Sequence, residues 1–363
     1  MKRLVIRPIV LTVLAVSLAG CQVTARDDSP ITSGAAPLSV VLDLPSASQE
    51  IAVDSATNTL WVASVQTAGK DTLWSVDMTK GTSRAYDLPD VDYSGYTTHV
   101  RVGQDGAVWI SLPYELARWD PTSGTVTSVR FSEDVDGALP GALDPNATLP
   151  GTWLSAILPD DAGVLVARNN VPYLTAVSPD LTVSRGLAAP DGYAGAADLL
   201  RESDGSILML PALDNPAGEV TTINGSRIAG TDGLGPRRFL VDGPDISALV
   251  LDDSEVTVVG ASGDLVGNRG SWARTNSSGT SVSYDASAGT LTREGPDGHA
   301  EVLQLERFEG EMSGGGIDPA TGKTTNQGQS IQTWDRLTDF FVAEDGTVWL
   351  LRHKGTQLVR WNP

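Results

Sequence analysis

From residue 38 to the C-terminus the chain alternates short apolar runs with turns built from Asp, Gly, Pro and Asn, and a helical period is nearly absent after residue 25. Three stretches share one layout. They are EIAVDSATNTLWVASVQTAGKDTLWSVDMTKGTSRAYDLP (50–89), HVRVGQDGAVWISLPYELARWDPTSGTVTSVRF (99–131) and DFFVAEDGTVWLLRHKGTQLVRWNP (339–363). Each reads as an apolar strand, a tight turn containing Asp, a strand carrying Trp61, Trp109 or Trp349, a variable loop and a third strand. The first two add an Asp-x-x-x-Gly turn and a fourth strand. The pairs Asp105-Gly106 and Asp345-Gly346 suit tight hairpins, because glycine accepts the positive φ that such turns demand.

Fainter copies begin near 157, 199, 246 and 281. Taking first strands near 51, 100, 157, 199, 248, 282 and 340 gives a mean step of about 48 residues. Four strands per repeat at that period predict an all-β, seven-bladed β-propeller, with six or eight blades as the alternatives the spacing leaves open. The last copy stops at Pro363 without a fourth strand, while LSVVLDLP (38–45) resembles the fourth strand SRAYDLP (83–89). Residues 38–45 are therefore expected to complete the last blade and close the ring by hydrogen bonds. The recurrent Trp61, Trp109 and Trp349, and the pair Trp119 and Trp361, are expected between blades.

Ahead of this domain lies a basic start (Lys2, Arg3, Arg7), an apolar run of about ten residues, about half of what spans a bilayer, and then Leu18-Ala19-Gly20-Cys21. That run resembles the lipobox of bacterial lipoproteins, in which the cysteine becomes the acylated N-terminus. The resemblance implies a signal peptide over 1–20, diacylglyceryl and amide-linked chains such as palmitate on Cys21, and an extracytoplasmic protein anchored to the cell membrane. Residues 21–37 read as a flexible tether from the lipidated cysteine, and 38–363 as a single propeller domain. Cys21 is the only cysteine, so no disulfide is available to an exported chain. The net charge is −20 over 363 residues, and loss of Lys2, Arg3 and Arg7 would lower it to about −23. Such a surface repels phosphate backbones, which sets nucleic acid aside as a partner.

In a propeller the loops from strand two to three and from strand four to the next blade share one face. Here they are long and irregular: 89–98, 132–153, 189–196, 230–245 and 307–337. The opposite turns are short, as at Asp120–Gly124 and Asp318–Gly322. Long loops on a rigid frame carry binding residues. Candidate binding residues on that face are Tyr96, His99, Arg168, Tyr173, Trp334, Arg336, Arg352 and His353, with Tyr93, Tyr114, Tyr193, Arg237, Arg238 and Asp335 nearby. Arginine with aromatics suits an anionic ligand, a glycan or an aromatic small molecule, and an envelope protein is the larger alternative. No cofactor is expected, save a divalent metal if His99, His353 and a carboxylate meet across the central axis.

The unit DGAVWISLPYELARWDPTSGTVTSVRF and the final DGTVWLLRHKGTQLVRWNP resemble repeats of the streptogramin lyase propellers of the virginiamycin B lyase type. That family opens an ester-linked macrocycle by elimination, with a metal ion, a histidine base and a glutamate near the channel, and its second strand commonly reads Trp-Phe-Thr-Glu. Here the matching stretches end on Leu112, Arg352 and Ser64, so the acidic position is lost in all three. The resemblance implies the scaffold without the lyase residues. The expected function is a lipid-anchored module binding a ligand or protein through its long-loop face, with no catalytic residues assigned. A lyase- or lactonase-type enzyme, with a metal-dependent site at the central channel, is the alternative.

Overall fold

The computed structural model describes residues 38–65, 70–89, 99–131, 154–169, 171, 173–190, 193, 195–202, 205–211, 220–226, 238–240, 248–252, 255–259, 265–269, 272–285, 288–311, 330–335 and 337–363. Of residues 211, 238–240, 248–252, 255–259, 265–269, 272, 307–311 and 330–334 it describes the backbone only. Among the described residues there are six four-stranded antiparallel sheets, one three-stranded sheet and a two-stranded hairpin, and no helix. Within each four-stranded sheet the strands follow chain order, except where the first strand of the domain joins the last sheet.

That exception is the expected ring closure. Ser39–Asp43 pairs antiparallel with Gln357–Trp361, with Ser39 opposite Arg360 and Asp43 opposite Gln357. A bulge between Val40 and Leu42 re-aims the side chains, so that Val40 faces solvent while Leu42 is buried. The joint continues past the strand. Leu44 N donates to Thr356 O at 2.7 Å, and Ser48 N donates to Gly355 O at 2.9 Å. Gly355 lies at φ 86°, and a Cβ there would stand 2.1 Å from Ser48 O, so this close approach requires glycine.

The core lies between neighbouring sheets. Trp61 is buried with Val100 and Ile110 of the following sheet, Trp109 with Leu154 and Ile157 of the next, and Trp349 with Leu60 and Val62 of the first. Third-strand tryptophans pack the other way. Trp119 lies 4.5 Å from Trp61 between ring centroids, and Trp361 sits under Arg293 at 4.4 Å. Each Trp position therefore rivets one sheet to a neighbour, as its recurrence in the sequence led us to expect.

Two first strands differ from the sequence expectation. Ala248–Asp252 and Ser281–Asp285 are second strands; Arg238–Leu240 and Trp272–Thr275 precede them. Neither Arg238–Leu240 nor Trp272–Thr275 leads into the Asp-Gly-x-Val-Trp run that marks the clear copies. The 230–245 stretch thus contains a strand rather than only a loop. The 307–337 stretch contains the hairpin Arg307–Glu311 with Ser330–Trp334. Asp318–Gly322 lies outside the described residues.

Candidate functional site

First strands of five sheets line a central cavity of about 570 Å³. Register decides what they aim into it. Ala52, Arg101 and Phe341 each lie opposite the recurrent Trp of the second strand, and Leu200 lies opposite Leu208 at the same level. Side chains two residues apart in a strand share a face. Two residues earlier stand Glu50, His99, Asp198 and Asp339, so four ionisable groups occupy one level around the axis. Arg274, opposite Val282, stands level with Arg101.

These groups tie the sheets to one another. Glu50 Oε1 accepts Val100 N and the Arg101 guanidinium. Arg101 Nη2 reaches Asp198 Oδ1 at 3.1 Å. Asp339 Oδ2 accepts Ile51 N at 2.8 Å, and its Oδ1 faces Arg274 Nη2 at 3.1 Å. His99 is fully enclosed. Its Nε2 lies 3.1 Å from both Ser155 O and Ala197 O, so that nitrogen carries the proton and donates. Its Nδ1 lies 3.6 Å from Glu50 Oε2 and 3.4 Å from Arg101 Nη2. Burial alone would push the His99 pKa down, but Glu50, with Asp198 behind it, outweighs burial and holds it above the usual value. Burial would likewise raise Glu50, yet Arg101 and His99 hold it well below the usual carboxylate range.

Exposure of the cavity lining rises along the strands. Glu50, Asp198 and Asp339 are buried, whereas Ser55, Ser277 and Glu344, in the turns that follow the first strands, are exposed. The cavity therefore opens towards the short turns.

The expected loop-face residues scatter. Arg168 is fully buried with its guanidinium 5.0 Å over Phe131, and Tyr173 is buried under Arg185 at 4.7 Å. Arg352 donates from Nε to Gln357 Oε1 at 2.8 Å. His353 sits in the same hairpin with its N–H on Asp335 Oδ1 at 2.9 Å and its Nε2 3.4 Å from Asp335 Oδ2. Burial pushes the Asp335 pKa up. His99 and His353 thus belong to two separate clusters, and among the described residues no group of three His, Cys, Asp or Glu is arranged to hold a metal ion. Tyr93, Tyr96, Arg237 and Arg336 lie outside the described residues, and of Trp334 only the backbone is described. Of the axial set, sequence reasoning found His99 alone and missed Glu50, Arg101, Asp198, Arg274 and Asp339. A signal was present: His99, Asp198 and Asp339 each stand six residues before the Asp of an Asp-Gly pair.

No protein-family model matches the chain, and no curated protein matches its sequence. Solved structures do. A streptogramin B lyase superimposes with a TM-score of 0.57 at 13% identity, over 89% of this chain and 96% of that one. The virginiamycin B lyase of Staphylococcus aureus gives 0.55 at 13%, over 88% and 97%. The WD40 repeats of RRP9 give 0.52 at 9%, over 89% and 96%. At these identities the likeness shows the fold: a β-propeller similar in shape to the streptogramin lyases.

Proposed function

We propose that this chain is a bacterial lipoprotein, held by acyl chains on Cys21 at the extracytoplasmic face of the cell membrane, and that its propeller is a binding module rather than a catalyst. The observation that carries the second half is the engagement of the ionisable groups around the cavity. A general base needs an open lone pair within reach of substrate. His99 has Nε2 turned to two carbonyl oxygens and Nδ1 to Glu50 and Arg101, and the Glu50 carboxylate is spent on Val100 N and Arg101. What is left is a shaped hollow with fixed charges, which suits recognition.

Two measurements test the two halves. Streptogramin B, the compound named for the similar lyases, should stay cyclic after prolonged incubation with the purified chain and divalent metal, as read by mass spectrometry; ring opening would refute the binding-module reading. Cys21→Ser should abolish incorporation of an alkyne-labelled fatty acid and stop the release of the 1–20 leader in a bacterial host. Undiminished labelling of that variant would remove the lipid anchor.

A further inference from the structure

We propose that the axial cavity binds a small organic anion, bearing a phosphate or carboxylate, which enters from the short-turn face and is held by Arg101 and Arg274. This rests on the binding-module reading and names its ligand class and its doorway.

Charge counts alone would leave the sign of the ligand open, since three carboxylates face two guanidiniums and a histidine. Placement decides it. The Glu50, Asp198 and Asp339 side chains are 6%, 1% and 2% exposed, whereas Arg101 and Arg274 are 24% and 20% exposed, and both line the hollow. The carboxylates stand behind the guanidiniums and fix them, so the surface offered to a ligand is cationic. Arg101 uses Nη1 on Glu50 and Val100 O, and Nη2 on Asp198. Its Nε–H is the donor that none of these bonds takes, and guanidinium is the side chain best matched to phosphate or carboxylate. A volume of about 570 Å³ lies within the range of small-molecule sites, roughly 300–1,000 Å³. Beside the arginines the wall is mixed, with Ala52, Leu200 and Phe341 next to Thr275, Asn276 and Ser277, so it accepts a small organic anion with a short polar or hydrocarbon backbone. Among the described residues that line the mouth the acid is Glu344, which accepts a hydrogen bond from Ser277 Oγ at 2.5 Å.

The doorway has a direction. In each antiparallel sheet the turns after strands one and three lie on the same side. Ser39–Asp43 stands as fourth strand of the last blade, so its start at Ser39, opposite Arg360, also lies on that side. The tether from Cys21 therefore joins the propeller on the face where the cavity opens. Sixteen residues (22–37) separate Cys21 from the domain, and a random chain of that length would have an r.m.s. span of about 20–24 Å. That keeps the mouth close to the bilayer, where both lipid headgroups and soluble anions are within reach.

The test uses the full chain in neutral detergent, with thermal unfolding as the readout. Glycerol 3-phosphate, or phosphatidylglycerol doped into the micelles, should raise Tm by several degrees at saturation, while phosphatidylcholine should not. A response to both marks a soluble anion, and a response to phosphatidylglycerol alone marks a headgroup. Arg274→Gln should weaken the apparent affinity at least tenfold. Ser55→Trp, at an exposed mouth position remote from the ion pairs, should block entry without disturbing the fold. If neither probe moves Tm, or if both variants bind as the parent does, the anion site is wrong. A shift with neutral glycans but not with anions would overturn the anion class and leave the binding module standing. Cleavage of streptogramin B would instead bring down the broader reading.

Discussion

A chain that lacks residues 38–45 should lose its cooperative melting transition or melt at least about 10 °C lower than the parent, because those residues supply the strand that closes the ring. The magnitude follows from what leaves. Leu42 and Leu44 are buried against Trp349, Leu351 and Leu358, and each such side chain contributes about 1.5–3 kcal/mol. Their loss, at about 2–4 °C per kcal/mol for a large domain, accounts for a shift of that size. The effect extends beyond the strand itself, because Gln357–Trp361 becomes an open edge with unpaired backbone groups, which invites pairing with a second chain. Point substitutions separate closure from mere truncation. Leu42→Asp should reproduce most of the loss, whereas Val40→Asp, at a position 53% exposed on the same strand, should leave Tm almost unchanged. Differential scanning calorimetry reads all three. Equal shifts for the two point variants would mean that the strand is not seated as described.

The same closure shows what sequence can and cannot reveal. The resemblance of LSVVLDLP to SRAYDLP, and a final repeat ending one strand short, were enough to place Ser39–Asp43 beside Gln357–Trp361 before any coordinates. Trp61, Trp109 and Trp349 were equally legible, since a large apolar residue at a fixed offset from an Asp turn has one place to go in stacked sheets. The axial set was not. Glu50, His99, Asp198 and Asp339 are far apart in the chain and become neighbours only because rotation about an axis brings equivalent residues to one level. Cations and aromatics in long loops are the more conspicuous pattern along the chain. Arg168 and Tyr173 flank the short connection between the second and third strands of one sheet, and both are buried, Arg168 against Phe131 at the end of the preceding sheet and Tyr173 under Arg185 of its own. A charge inside an otherwise apolar first strand, at a constant distance from the turn, is the better sign, because burial makes an unpaired charge so costly that it must have a partner.

That cost sets the second large effect. Glu50→Ala should destabilise the fold by about 3–5 kcal/mol, because it leaves the Arg101 guanidinium, the His99 imidazole and the Val100 N–H without their shared acceptor in a buried setting. The same cluster gives stability a dependence on pH whose sign is fixed by the two shifts. His99 is held above its ordinary 6.5 in the folded state, so its contribution is complete below that value and is lost as pH rises through the raised value. Glu50 is held well below its ordinary 4.5, so its contribution is complete above 4.5 and is lost only as strong acid protonates the folded carboxylate. The pair is therefore most stabilising between pH 4.5 and 6.5 and weakens on the alkaline side, where His99 gives up the proton that faces Glu50. Thermal melts across this range should show Tm falling as pH climbs past the raised His99 value. His99→Gln keeps a donor for Ser155 O and Ala197 O but cannot titrate, so it should flatten that fall; His353→Gln, in the separate Asp335 cluster, should leave it intact. With Glu50→Gln the main charge that favours the imidazolium is gone and only Asp198 is left to oppose burial and Arg101, so the His99 pKa should fall and the alkaline decline should shrink there too. A His99→Gln protein that still loses stability with the parent's slope would show that the enclosed imidazolium does not hold these blades together.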